Sequence, residues 1–151
     1  MKGLFQGVCI GSLIVIGAAR ADVGREEELD EAVRQFAAKV EAEWQQCLRK
    51  PETKTTHDSA HCAYAMREAA KEAVNEKYQK TIISAQEGVD KGRLPKDVPA
   101  MLPQAHAAWE QFVKADCDVV GALITGTAKS TYQTLCEYKH QIQRLRDLDE
   151  W

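Results

Sequence analysis

Several side-chain groupings in the 151-residue chain have types and spacings that could do chemistry. In "HDSAHC" His57 and His61 stand four apart with Cys62 adjacent, a spacing that could bring two imidazoles to one metal ion. No third ligand follows at a recognised interval, so neither a metal nor any other cofactor is expected there. Cys136 and His140 lie one helical turn apart, the pairing of a thiol with a base, but such a nucleophile needs reduced sulfur. In "WEQFVKADC", residues 109 to 117, a tryptophan, a phenylalanine and a cysteine fall close together. Whether these cysteines react or brace depends on the compartment the chain occupies.

The N-terminus speaks to that. Met1 and Lys2 give a positive start, Leu4 to Ala19 is apolar, and Ala19-Arg20-Ala21 precedes the acidic run "DVGREEELDE". That order is a secretory signal peptide over residues 1–21 with cleavage after Ala21. The apolar stretch is short and interrupted by glycine, unlike a membrane span, and Cys9 has no lipoprotein cleavage site before it. Export to the bacterial periplasm or beyond is expected, with no stable membrane insertion after cleavage. Losing Lys2 and Arg20 turns a net charge of −3 into 18 basic against 23 acidic residues, or −5. Four cysteines remain, Cys47, Cys62, Cys117 and Cys136, and an even number in a small exported chain favours disulfides over thiol catalysis. Residues 22–151 suit a single domain. With no clustered basic patch, a nucleic-acid partner is not expected.

The elements that must position these residues read as helices throughout. Leu29, Val33, Phe36, Val40, Trp44 and Cys47 recur at steps of three and four, and Glu26, Glu27 and Glu28 suit the positive end of that first helix. Pro51 breaks the pattern. A second helix is predicted from about Asp58 to Val89, rich in Ala, Glu and Lys, with Cys62, Met66, Ala69, Ala73, Tyr78, Ile82 and Ala85 as its stripe. "KGRLPKDVPAMLP" reads as a long loop because of its prolines and glycine. A third helix sets Ala105, Ala108, Trp109, Phe112 and Val119 on one face. "GALITGT" is a turn, and a fourth helix from about Ala128 carries Thr131, Leu135, Tyr138, Ile142 and Leu145. Trp44 and Trp109 fall on apolar stripes and read as core, whereas Trp151 has no stripe to join.

The fold class expected is all-α, two antiparallel helical hairpins stapled by disulfides. Four cysteines allow three pairings. Positions near the connection of a hairpin come opposite each other, which favours Cys47–Cys62 with Cys117–Cys136.

The joint pattern resembles the LprI-type lysozyme-inhibitor domain family, over roughly Cys47 to Leu148. In the first half it is carried by Thr55, Cys62, Ala70, Asn75 and Tyr78. In the second it is carried by Trp109, Phe112, Asp116, Cys117, Gly126, Tyr132, Cys136, Arg144 and Leu148. The chain departs from the family pattern at Val113, where a basic residue is usual, at Arg67 for an aromatic and at Lys71 for an acid. It also has "GTA" for a Gly-Gly turn. Asn75 and Arg144 read first as buried hydrogen-bonding partners that lock the hairpins together, with direct ligand contact as the alternative. The resemblance implies a non-enzymatic protein that binds and inhibits a lysozyme-type peptidoglycan hydrolase. Neutralisation of a toxin delivered into the periplasm, and an envelope adaptor without inhibitory activity, are the alternatives. Lys91, Arg93 and Lys96 are the candidate partner contacts, because cations there could meet an enzyme's catalytic carboxylates.

Overall fold

The computed structural model describes residues 17–149, with side chains from Asp30 onward. Residues 1–16 of the expected signal peptide, with Cys9, and Trp151 at the other end lie outside the described residues. Four helices follow one another: α1 (Gly17–Leu48), α2 (Thr56–Asp90), α3 (Val98–Leu123) and α4 (Lys129–Asp149), with no strand among the described residues. The expected all-α class and both disulfides are observed. Cys47–Cys62 joins α1 to α2 and Cys117–Cys136 joins α3 to α4, with Cα separations of 5.7 and 5.6 Å.

The element boundaries differ from expectation in three places. Helix α1 runs back to Gly17, so Glu26, Glu27 and Glu28 lie within it and not at its positive end. The Ala- and Arg-rich stretch before them is itself a good helix former. Helix α3 begins at Val98, which shortens the predicted thirteen-residue loop to residues 91–97. Pro99 falls where a backbone donor has no intrahelical acceptor anyway, and Pro103 forgoes one bond near the same end. Helix α3 also continues through Gly121 to Leu123, leaving residues 124–128 as the turn.

Local chemistry explains the well-defined starts and turns. Thr55 caps α2: its hydroxyl accepts from the Asp58 amide (3.2 Å), and the Thr55 amide donates to the Asp58 carboxylate (2.9 Å). Gly126 has φ +84° in the α3–α4 turn, a conformation that costs other residues energy through the Cβ atom.

Helices α2 and α4 run parallel and form the centre. Arg67 pairs with Glu137 at 3.3 Å and Lys77 pairs with Asp149, which fixes their register. Ala63, Ala70 and Val74 have no exposed surface, and among the described residues α2 and α4 share the most extensive contact of any helix pair. Helix α1 lies antiparallel on α4, where the Tyr138 hydroxyl donates to Glu41 (3.0 Å) and Arg146 meets Asp30 (3.2 Å). Burial, and then the Glu41 carboxylate, push the Tyr138 hydroxyl far above its ordinary pKa, so it stays a donor. Helix α3 packs on the other side, and among the described residues no Cα atom of α1 lies within 8 Å of one in α3. The core joins Val33 and Val40 of α1, Met66, Val74 and Tyr78 of α2, and Tyr138, Ile142, Leu145 and Leu148 of α4.

The buried face of α3 is not the one its sequence pattern indicates. Leu102, His106, Trp109, Val113 and Cys117 point inward, whereas Ala105, Ala108, Phe112 and Val119 face out. Phe112 is 56% and Val119 59% exposed. The inward set also recurs at steps of three and four, but it includes a histidine, and the alanines of the competing stripe make that stripe look equally apolar.

Each disulfide closes a short loop, with sequence separations of 15 and 19. Replacing Cys117 and Cys136 together by Ser should lower unfolding stability by about 3 kcal/mol through the looser unfolded chain. Urea titration followed by circular dichroism measures this, and an unchanged midpoint would refute the bracing role.

Candidate functional site

Both disulfides lie at one end of the molecule, where α1 and α3 end and α2 and α4 begin. The α2–α3 connection, with Lys91, Arg93 and Lys96, lies at the other. These three side chains are exposed; Lys91 pairs with Glu87 at 3.0 Å, and Gly92 turns the chain with φ +66°. The three cations are therefore presented on a seven-residue connection that no disulfide braces.

At the stapled end, the gap between α1 and α3 leaves an open groove of about 700 Å³ along α4. Glu41 and Trp44 of α1 form one wall, Asp116 and Val120 of α3 the other, and Tyr132 and Leu135 of α4 part of the floor. Asp116 is half-exposed and lies 2.8 Å from His140 Nε2, and the Phe112 ring stands edge-on to that imidazole with centroids 5.5 Å apart. The outer face of α3 carries Phe112, Asp116, Val119 and Leu123 at steps of four, three and four, which places them in one exposed row. Tyr132, half-exposed on α4, lies across the turn.

Towards the other end, three helices are locked by a stack. Tyr78 of α2 lies on His106 of α3 (centroids 4.4 Å, interplanar angle 22°), and His106 lies on Trp109 (5.5 Å, 20°). The buried Arg144 guanidinium of α4 sits 5.3 Å from the Trp109 ring centroid, a cation–π contact shielded from water. Burial pushes the Tyr78 hydroxyl above its usual pKa, partly offset by Arg144. Burial lowers the His106 pKa; Arg144 and Lys71 act in the same direction, and Glu110 opposes them.

A family model described as Lysozyme inhibitor LprI matches residues 47–148, from the first stapling cysteine to the last buried leucine of α4. The chain belongs to the LprI family. No curated protein and no solved structure matches it.

The family-pattern residues separate into two groups by position. Thr55, Tyr78, Trp109, Gly126, Arg144 and the four cysteines cap, turn, stack or cross-link, so their work is holding the LprI fold. Phe112 and Asp116 are exposed beside the groove. Asn75 is exposed as well, on the outer face of α2 among Glu72, Glu76 and Gln79, so the expectation of a buried Asn75 is corrected. Its place in the helical repeat puts it one residue beyond buried Val74, about 100° around the axis. Arg144 is buried as expected, but its visible partner is an aromatic ring on α3. His57 and His61 are exposed and Cys62 is disulfide-bonded. The departures at Arg67, Lys71 and Val113 line one small groove between α2 and α3, where Arg67 also lies 4.4 Å over the Tyr64 ring. His106 and His140 carry the two aromatic clusters; in sequence, only their positions three before Trp109 and four after Cys136 marked them.

Because the folded His106 resists protonation, the unfolded chain takes up that proton first as pH falls. The stack's contribution is complete above the ordinary histidine value of about 6.5 and is lost progressively below it. Melting temperature should therefore fall as pH drops from about 7 to 5, and His106→Phe should flatten that slope relative to the native chain. Equal slopes for the two proteins would show that His106 does not couple to stability.

Proposed function

We propose that the mature chain is an exported protein that binds a lysozyme-type peptidoglycan hydrolase and inhibits it without catalysis. The observation that carries this reading is the family match, which spans α2, α3 and α4 and includes all four stapling cysteines. Two disulfides and the signal-like N-terminus support action in the periplasm or outside the cell. No helix among the described residues is long and apolar enough to cross a membrane. An excess of acidic residues favours fast encounter with a basic hydrolase.

The contact surface in this reading is the exposed α3 row with Tyr132. Exposed aromatic and aliphatic side chains in one row are the usual energetic centre of a protein interface. The adjacent disulfide keeps that row rigid, which lowers the entropy lost on binding. Lys91, Arg93 and Lys96 form the competing contact, suited by charge to a pair of catalytic carboxylates but held on an unbraced connection.

The test is inhibition of a panel of basic lysozymes by oxidised, processed protein. Inhibition should weaken as salt rises, chiefly through association rate, because exposed charges are screened beyond about 8 Å at physiological ionic strength. Phe112→Ala with Leu123→Ala should weaken binding at least tenfold, or roughly 1.4 kcal/mol, with the melting temperature nearly unchanged. Loss of inhibition on replacing Lys91, Arg93 and Lys96 by Ala instead would move the contact to the opposite end. No inhibition across the panel would favour the toxin-neutralising or adaptor reading.

A further inference from the structure

The Cys117–Cys136 staple is not chemically isolated. Asp116 beside Cys117 on α3 and His140 one turn after Cys136 on α4 bring an oxygen and a nitrogen to the two sulfurs. All four atoms lie within 4.8 Å of one another. Among the described residues no other group of three or more such side chains gathers in this way, and the second disulfide, Cys47–Cys62, has no comparable company. We propose that, when Cys117–Cys136 is reduced, these four side chains bind one zinc ion, so that a metal replaces the disulfide as the link between α3 and α4.

The donor set is suited to that ion. Zinc takes four ligands tetrahedrally, with thiolate, imidazole and carboxylate donors at roughly 2.0–2.3 Å, which sets neighbouring donors about 3.3–3.8 Å apart. The sulfurs must part from a bonded distance of about 2 Å to that spacing, a movement side-chain rotation supplies while the helix backbones stay 5.6 Å apart at Cα. His140 Nε2 and Asp116 Oδ2, now 2.8 Å apart, face each other as partners in a hydrogen bond, so the metal would lie between them with the imidazole proton carried on Nδ1. Cys117 is fully buried and closes the site from within, whereas Asp116 is half-exposed and leaves a path for the ion.

The charge is conserved as well. A dithiol reductant supplies two electrons and two protons, becomes a disulfide itself and leaves Cys117 and Cys136 as thiols. Zinc binding then releases those two protons to solvent. A disulfide, one carboxylate and one uncharged imidazole sum to a single negative charge. A zinc ion with two thiolates, one carboxylate and one imidazole carries the same net charge. The exchange therefore asks for no new counter-ion from the surroundings.

Cobalt(II), a spectroscopic substitute for zinc, gives the test. Protein reduced with a dithiol, freed of reductant under anaerobic conditions and titrated with cobalt(II) should develop sulfur-to-cobalt charge-transfer and tetrahedral visible bands. They should saturate at one equivalent and be abolished by zinc. Oxidised protein should show neither band. The bands should persist in Cys47→Ser with Cys62→Ser and vanish in Cys117→Ser with Cys136→Ser. In the otherwise native reduced chain, His140→Ala should weaken cobalt binding at least tenfold, an arm that holds even if the serine variants fail to fold. Absence of the bands from the reduced native chain, or their indifference to His140→Ala, would overturn the proposal.

Discussion

Close approach of α2 and α4 is the constraint on which the other contacts depend. It is possible because α2 presents Ala63, Ala70 and Val74 to its neighbour, side chains small enough to leave no exposed surface when the helices meet. Once those helices occupy the centre, α1 and α3 lie on opposite flanks, with no Cα atoms within 8 Å of each other among the described residues. Each flanking helix packs only on the central pair, through one stripe of side chains. The two disulfides secure that arrangement, since each ties one flanking helix to one central helix. The open groove along α4 follows from the same geometry, because it lies between α1 and α3.

The parts of this architecture legible in sequence are those set by local rules. Periodicity located four helices, and the hairpin argument placed Cys47 opposite Cys62 and Cys117 opposite Cys136. Less was legible where two local readings were equally good. The prolines of "KGRLPKDVPAMLP" mark a loop in one reading and a helix start in the other; the first-turn tolerance of proline decides in favour of the helix at Val98. On α3, an alanine-rich stripe containing Phe112 competed with a stripe containing His106. The second won because Tyr78 and Trp109 provide aromatic faces for an imidazole, a tertiary fact no local pattern contains. The error at Asn75 has a similar origin. A polar residue inside a family pattern suggested burial, but its angular position beside Val74 puts it in solvent.

That division bears on how a family pattern should be read. Tyr78, Trp109 and Arg144 are far apart in sequence, and they converge on His106 to lock α2, α3 and α4. A buried guanidinium is costly to desolvate, and an arginine held against an aromatic face recovers part of that cost while fixing the helices' relative rotation. Such residues hold the fold together, and they say little about what the protein binds. Phe112 and Asp116 differ from these in standing exposed beside the groove, where both also meet His140 of α4.

Their position relative to the disulfide gives the arrangement its consequence. Cys117 lies on the inner face of α3 and Asp116 immediately before it on the outer face, so the bond that anchors the helix also fixes the row exposed on its other side. A surface held in this way loses little freedom when a partner covers it, and more of the contact energy remains as affinity. The connection carrying Lys91, Arg93 and Lys96 has the opposite character. Its charges are exposed, but without a staple, ordering them on a partner would cost more. In the proposed reading, the cross-linked end is therefore the one whose rigidity would add to affinity.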